Sequence, residues 1–296
     1  MSSFASIGDI ITSVSHDLQL DWQPERIPLP ENITAFDNWA GVLQPDSKHV
    51  IELVDARHTD SHNTWLLEDS PATAFIFCEA VRLSAAMQNI VSASHVVATP
   101  LPASAVLPVL LTAFAEQLSE HTHQHGVFMQ IFNQGVFITG DSGVGKSSLA
   151  LELIERQHCL VADDSPLFYR FASSEQIHGL CPALLQGFLH VRDLGALNIG
   201  KLFGQQALAC ASSLDLIIEL DNADNRTLET TFSVYSRSKI LLGIEIPVIK
   251  LSVKGNRNLP LIVETAVKNY ILYKEGYDAN KALATKLQQE LENSTT

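Results

Sequence analysis

The chain has 296 residues, of which 46% are hydrophobic and 18% are charged, and its formal net charge is −14. That length allows two domains of ordinary size, and the apolar content is enough to bury a core in each, which excludes an intrinsically disordered protein. The acidic balance, without any cluster of lysine and arginine, excludes nucleic acid as the main partner.

The four cysteines lie far apart, at positions 78, 159, 181 and 210, and form no C-x-x-C pair. We expect reduced, mostly buried thiols, as in a cytosolic protein. The N-terminus lacks the basic and apolar segments of a signal peptide, and no window of about 18 uncharged apolar residues predicts a membrane helix. These features predict a cytoplasmic protein that does not interact with a membrane.

The first predicted elements follow one another as in a small α/β domain. Residues 2–20 predict a helix, alone or after a short strand, and three prolines at positions 24, 28 and 30 mark a connection. Strands are predicted over 49–55, 73–80 and 94–100, and helices over 84–93 and 103–120. This order predicts an N-terminal α/β domain over residues 1–120, followed by a polar linker over 119–125.

A second predicted α/β domain covers residues 121–296. The runs VFMQIF and GVFITG predict a hairpin with Asn133 and Gln134 at its turn, and a loop, a helix and a strand that ends in two aspartates follow. Further strands are predicted over 214–221, 247–253 and 259–264. The last stretch predicts C-terminal helices broken at Gly276.

Residues 140–147 read GDSGVGKS, the G-x-x-x-x-G-K-[ST] pattern of a phosphate-binding loop, between a β-rich run and a helical run. Glycines let several backbone N–H groups face one anion, and the helix that begins near Lys146 adds its positive end. Lys146 can reach the outer phosphates, and the Ser147 hydroxyl can bind Mg²⁺. The candidate nucleotide-binding residues are Gly140, Asp141, Ser142, Gly143, Val144, Gly145, Lys146 and Ser147.

Asp163 and Asp164 end the strand that follows the loop helix, at the kind of sheet edge where α/β proteins bind ligands. Because neighbouring residues on a strand face opposite sides, one carboxylate can hold Mg²⁺ or its waters while the other accepts a proton from an attacking hydroxyl. The alternative is that the pair caps a turn in solvent.

His121, His123 and His125 form H-x-H-x-H, which on a strand places three imidazoles on one side, a spacing that can place them around zinc. The alternative is a solvated run with one functional histidine. His125 is the candidate for that role, since the core strand begins directly after it.

Two further segments offer cations. Residues 188–204 contain Arg192 and Lys201, and residues 253–258 contain Lys254 and Arg257. Each segment is either a loop that approaches a charged ligand or an ordinary surface connection.

Together these segments resemble the bacterial HPr kinase/phosphorylase family, in its order and nearly its spacing, over 125–127, 135–147, 150–158, 160–164, 190–204, 243–259 and 266–279. The first domain also resembles that of the family. The resemblance implies an enzyme that uses ATP and Mg²⁺ to phosphorylate a serine on the phosphocarrier protein HPr. It also implies the reverse reaction with inorganic phosphate, which yields pyrophosphate, a role in carbon metabolism, and a homohexamer built on the P-loop domain.

The resemblance also implies roles for single residues. Lys146 would stabilise the transferred phosphate, Ser147 would bind Mg²⁺, and His125 would be the active-site histidine. Asp164 would take the serine proton during phosphorylation and return it in the reverse direction. Residues 189–198 correspond to the signature needed for both reactions, and residues 253–258 to the loop needed for dephosphorylation.

The chain departs from the family pattern at several positions. His190 replaces the usual Mg²⁺-binding glutamate, which would weaken the metal site or shift it toward Mn²⁺. Asp193 replaces a glycine, and Ser148 replaces a glutamate. The catalytic arginine has no clean counterpart, and Arg226 and Arg237 are the nearest candidates.

These departures leave three other functions open. The chain can be a nucleotide-binding regulator that has lost turnover, which would account for His190, Asp193 and the missing arginine. It can also be a P-loop kinase that acts on a small hydroxylated metabolite, or a zinc protein.

Overall fold

A computed structural model describes residues 7–20, 42–43, 50–54, 72–79, 95–172, 174–222, 237–254 and 258–294. Within these residues the fold is mixed α/β, which confirms the predicted class. The chain divides into two compact units, one of Met1–Gln124 with Leu167–Gln186 and the other of His125–Pro166 with Gly187–Thr296.

The described helices are α1 (Ile7–Val14), α2 (Ala103–Leu118), α3 (Lys146–Glu155), α4 (Ile199–Leu202), α5 (Leu259–Lys274) and α6 (Ala279–Ser294). The described strands are β1 (Val42–Leu43), β2 (Val50–Val54), β3 (Ala72–Phe77), β4 (His95–Ala98), β5 (Glu120–His123), β6 (Val127–Ile131), β7 (Gln134–Gly140), β8 (Cys159–Ala162), β9 (Leu167–Arg170), β10 (His178–Leu180), β11 (Phe188–Val191), β12 (Gly195–Asn198), β13 (Ala211–Ser213), β14 (Leu216–Asp221), β15 (Ser238–Leu241) and β16 (Ile244–Ser252). Among these helices, none has both the length and the apolar character needed to cross a membrane.

The first unit contains a four-stranded sheet in the order β1-β2-β3-β4. Strands β2, β3 and β4 are parallel, and β1 joins as an antiparallel edge. Helix α1 packs against α2, and the buried Thr99 hydroxyl donates to the carbonyl of Leu18 at 2.6 Å. The predicted strands over 49–55 and 94–100 contain β2 and β4, and the predicted strand over 73–80 overlaps β3, whereas the predicted helix over 84–93 lies outside the described residues.

A second sheet of the first unit is built largely from strands that lie after residue 120, where the sequence predicted a single domain boundary. Strand β5 pairs antiparallel with β9, and β9 pairs antiparallel with β10. The segment Leu167–Gln186 therefore belongs with the first unit, although it comes after the phosphate-loop motif in the sequence. This division results from pairing between strands that are far apart in the sequence, and such pairing cannot be predicted from local composition.

The second unit contains a six-stranded sheet in the order β15-β16-β14-β7-β6-β8. Strands β7, β14 and β16 are parallel, so their carboxyl ends meet at one edge, where open α/β sheets bind ligands. The strands on either side are antiparallel. Fully buried side chains fill the core beneath this edge, among them Met129, Ile138, Ala150, Leu216 and Ile218.

Two local predictions were wrong. The turn of the predicted hairpin consists of Phe132 and Asn133, both with positive φ, because Ile131 pairs with Gln134. Residues 259–264 begin helix α5 and form no strand: the Asn258 side chain accepts the N–H of Leu261, and Pro260 occupies the first turn of the helix. Gly276 lies between α5 and α6 with φ +94°, as predicted for the break.

Candidate active site

The loop of residues 140–147 joins the end of β7 to the start of α3. Gly140, Gly143 and Gly145 have φ values of +140°, +78° and +104°, which L-residues rarely adopt. A Cβ added at residue 140 would lie 2.4 Å from the carbonyl oxygen of Leu220 on the neighbouring strand. Glycine at these positions allows the backbone to turn sharply onto the first turn of α3, whose N–H groups attract anions.

Lys146 is the first residue of α3, and only 8% of its surface is exposed. Its ammonium donates to the carbonyl oxygens of Gly140 at 2.9 Å and Asp141 at 3.1 Å. Helix α3 packs against β6, β7 and β8 through its apolar residues, which fixes the position of Lys146 relative to the loop.

Asp163 follows β8 and is buried with 7% exposure. One carboxylate oxygen accepts the hydroxyl of Ser147 at 3.3 Å, and the other accepts the backbone N–H of His190 at 2.7 Å. Burial raises the pKa of the Asp163 carboxyl above its ordinary value, although the two hydrogen bonds act to lower it. Asp163 thereby joins the start of α3 to strand β11.

Asp164 is exposed and pairs with His125, with 2.8 Å between its carboxylate oxygen and the imidazole Nδ1. The side chains are 70% and 62% exposed. Asp164 has a φ of +67°, and its carbonyl accepts the N–H of Gly126 at 3.3 Å. The two aspartates therefore separate because the chain turns at Asp164, rather than through the alternation of a continuing strand.

These residues surround one cavity of about 390 Å³. Its lining consists of His125, Gly126, Ser142, Gly143, Gly145, Lys146, Ser147, Ser148, Asp163, Asp164, His190 and Arg192. The structure thus brings together the predicted catalytic residues His125, Lys146 and Asp164 and the predicted metal ligands Ser147 and His190. Of the predicted nucleotide-binding residues, Gly140, Asp141 and Val144 are not among the lining residues.

Asp163 and Arg192 also line the cavity, although the resemblance gave neither of them an individual role. The sequence did offer a signal for each, since Asp163 is next to Asp164 and Arg192 lies in a segment suited to charged ligands. Neither Arg237 nor Lys254 is among the lining residues, and Arg226 and Arg257 lie outside the described part of the chain.

The zinc hypothesis gains no support from the residues that the structure describes. Among them, no group of three or more histidine, cysteine, aspartate or glutamate side chains could hold a metal ion. His121 and His123 are exposed on β5, whereas His125 follows the end of that strand and pairs with Asp164.

Residues 116–287 match the family model described as HPr Serine kinase C-terminal domain. The HPr kinase/phosphorylase of Nitrosomonas europaea is 34% identical over 269 residues, which cover 87% of this chain and 80% of that protein. Those of Chromobacterium violaceum and Aromatoleum aromaticum are 41% and 40% identical over 178 and 195 residues, or 60% and 66% of this chain. The matches span only 56% and 62% of the length of these two relatives.

A solved structure, the Hpr(Ser) kinase/phosphatase from Coxiella burnetii, is 35% identical. Its TM-score is 0.49, and the match covers 55% of this chain and 98% of that one. The family model covers more than half of the chain, and the Nitrosomonas europaea relative is matched over most of its own length. The chain therefore belongs to the HPr serine kinase family, as the resemblance predicted.

Proposed function

We propose that this chain is an enzyme that transfers a phosphoryl group from ATP to a serine of the phosphocarrier protein HPr. We further propose the reverse reaction, in which inorganic phosphate removes that group as pyrophosphate. One observation carries the proposal: the Asp164 carboxylate lines the same cavity as Lys146 and Ser147 of the glycine loop. The names of the relatives support HPr as the protein partner.

Phosphoryl transfer requires positioning and charge neutralisation more than covalent chemistry by the protein. The loop N–H groups and the first turn of α3 would bind the phosphate tail of ATP, and Lys146 would stabilise its outer phosphates. The 2.9 and 3.1 Å bonds from the Lys146 ammonium to two loop carbonyls keep this charge against the loop.

Asp164 would act as the base, because its carboxylate is exposed at the cavity and oriented by His125. The serine oxygen attacks the γ-phosphorus, the bond from that phosphorus to the bridging oxygen of ADP breaks, and the serine proton passes to Asp164. In the reverse direction a phosphate oxygen attacks the phosphorus, and Asp164 returns the proton to the departing serine oxygen.

Three side chains would hold Mg²⁺: Ser147, Asp163 and His190, all of which line the cavity. The hydroxyl of Ser147 already contacts the Asp163 carboxylate, and both are the hard oxygen ligands that Mg²⁺ prefers. The bound ion would neutralise phosphate charge. Carboxylates suit Mg²⁺, whereas imidazole suits ions that are softer than Mg²⁺. We therefore propose that His190 shifts the metal preference toward Mn²⁺.

We also propose a homohexamer located in the cytoplasm that regulates carbon metabolism through HPr. The family membership supports the assembly and the role, and the sequence composition supports the compartment.

The test is transfer of radiolabelled γ-phosphate from ATP to purified HPr. We expect Asp164→Ala to lower kcat by about 10²- to 10⁴-fold, because it removes the base. Nucleotide affinity should change little, since Asp164 is not part of the glycine loop. The matched control is Glu155→Gln, which neutralises an exposed carboxylate at the far end of α3 and should keep the wild-type rate.

Two results would contradict the proposal. If the wild-type protein binds ATP but labels no HPr, the chain is a nucleotide-binding regulator. If it consumes ATP equally with and without HPr, in the presence of small hydroxylated metabolites, the substrate is a metabolite.

A further inference from the structure

We infer that a second cavity of the chain is a binding site for an aliphatic polyamine, with spermidine as its representative. The cavity has a volume of about 600 Å³, within the range of about 300 to 1,000 Å³ that small-molecule sites occupy. It lies in the second compact unit and shares no lining residue with the candidate active site. The inference does not depend on the proposed phosphoryl transfer.

The cavity lies where the β15–β16 hairpin meets the corner between α5 and α6. The polar and aromatic side chains of its lining are Ser238, Glu245, Tyr270, Tyr273, Lys274 and Asp278. The Lys274 ammonium donates to the side chain of Gln134 at 3.0 Å, where β7 begins. The glycine loop follows the opposite end of β7, so the two cavities lie at opposite edges of the same sheet.

Lys274 does not make this cavity a site for anions. Its ammonium pairs with the Asp215 carboxylate at 2.9 Å, which offsets its charge. The same ammonium lies 5.6 Å from the centroid of the Tyr270 ring. One ring of the lining therefore already takes part in a cation–π contact.

Glu245 and Asp278 each use only one carboxylate oxygen within the protein. Glu245 accepts the hydroxyl of Ser238, and Asp278 accepts the N–H groups of Asn280 at 3.0 Å and Lys281 at 3.1 Å. In the part of the chain that the structure describes, the other oxygen of each carboxylate makes no hydrogen bond or ion pair. Both carboxylates are therefore available to a ligand.

These charges and rings together favour an organic cation. With Lys274 offset by Asp215, the carboxylates give the lining an excess of negative charge, which an anion would oppose and a neutral ligand would leave unpaired. Tyr273 is 41% exposed and can pack against an aliphatic chain. A polyamine supplies ammonium groups for the carboxylates and methylene groups for the rings. The net charge of −14 attracts polycations to the chain as a whole.

The test is isothermal titration calorimetry with spermidine at low salt, without nucleotide. We expect one spermidine to bind per chain. The double variant Glu245→Gln with Asp278→Asn should weaken Kd by about 10- to 100-fold, because both charge-assisted contacts are lost. Both amides keep the acceptor that serves Ser238 or the first turn of α6, so the fold should be retained.

A third substitution and a matched control separate this cavity from general attraction to an acidic surface. Tyr273→Leu should weaken Kd by about two- to fivefold, because it removes a cation–π contact. The control is Glu275→Gln, which neutralises an exposed carboxylate at the same corner that does not line the cavity. This control should keep the wild-type affinity.

The inference is overturned if the double variant binds spermidine within about threefold of Glu275→Gln, or if several equivalent weak sites replace one site per chain. Melting temperatures from circular dichroism check that the variants are folded. If the double variant melts below the control, the single substitutions decide, since each should weaken Kd by about 3- to 10-fold. An unchanged Kd in both overturns the inference. The assay contains neither ATP nor HPr, so its failure leaves the proposed phosphoryl transfer unaffected.

Discussion

At the scale of single residues, Asp163 and Asp164 are neighbours in sequence with opposite surroundings. Asp163 is buried and bonded to Ser147 and to the backbone of His190, whereas Asp164 is exposed and paired with His125. A buried carboxylate with one hydrogen bond to each oxygen suits a metal ligand of fixed position, and an exposed carboxylate beside a histidine suits proton transfer. The two proposed roles therefore differ because the two carboxylates differ in their surroundings, although the residue type is the same.

Asp163→Asn should raise the stability of the fold and at the same time weaken metal binding. The amide keeps an acceptor for the N–H of His190 and can still contact Ser147, but it removes a buried charge. We expect the free energy of unfolding at neutral pH to rise by up to about 1 kcal/mol. The affinity of the nucleotide-bound protein for Mg²⁺ should fall about 10- to 100-fold.

The pH dependence gives the sign of this effect. Because burial raises the pKa of Asp163, the native state holds this proton more tightly than the unfolded state does. Tighter proton binding therefore stabilises the wild-type native state at low pH. This stabilisation is lost as pH rises from the ordinary aspartate pKa of about 3.9 through the raised pKa of Asp163. Urea unfolding of both proteins from acid to neutral pH should show the variant gaining relative stability over that window. If Asp163→Asn is less stable than the wild-type protein at pH 7, that result would falsify the raised pKa of Asp163.

Some site residues were readable from the sequence and others were not. The glycine loop with Lys146 and Ser147 is a local pattern, and Asp164 ends the apolar run that follows the loop helix in the sequence. The sequence left open whether Arg192 approaches a charged ligand, because the placement of its side chain depends on the register of β11 with β12. The pairing of His125 with Asp164 depends on the contact between β6 and β8, which local periodicity does not report.

At the scale of elements, the strand–loop–helix junction from β7 to α3 depends on glycine for two different reasons. Gly140 needs both a positive φ and the absence of a side chain, since an added Cβ would lie 2.4 Å from the carbonyl oxygen of Leu220. Gly145 needs only its φ, because an added Cβ would have no atom within 4 Å.

Alanine substitutions should separate these two costs. Gly145→Ala should lower the free energy of unfolding by about 1 to 3 kcal/mol, the usual cost of a strained φ. Gly140→Ala should cost about 1 to 3 kcal/mol more, since β14 must move to admit the methyl group. Chemical denaturation measures both variants against the wild-type protein. Equal losses would show that the close approach of Leu220 carries no cost.

The start of α5 shows why one element was misassigned from the sequence. The run LPLIVE is apolar and β-branched, which favours a strand over such a short window. The cap by Asn258 and the proline in the first turn are the competing signals, and they begin a helix of 16 residues. The buried side chains of this helix, including Val263 and Val267, then join the core of the second unit.

At the scale of the whole molecule, the first compact unit includes a segment inserted between two parts of the second. Strand β5 lies before the glycine loop in sequence, and its partner β9 lies after it. The match to the family model begins at residue 116, before β5, and therefore includes both strands. A fragment that begins after β5 would keep every residue of the cavity lining and still leave β9 without this partner.

Two fragments, 119–296 and 125–296, should therefore differ in stability although both contain the complete cavity lining. Only the longer fragment keeps the pairing of Glu120–His123 with Leu167–Arg170 and the ion pair of Arg170 with Glu120. Cross-strand pairs contribute roughly 0.2 to 1 kcal/mol each, and loss of β5 exposes an edge that favours aggregation. We expect the shorter fragment to melt several degrees lower by circular dichroism and to form aggregates in size-exclusion chromatography. Equal melting temperatures and elution would mean that β5 does not stabilise β9.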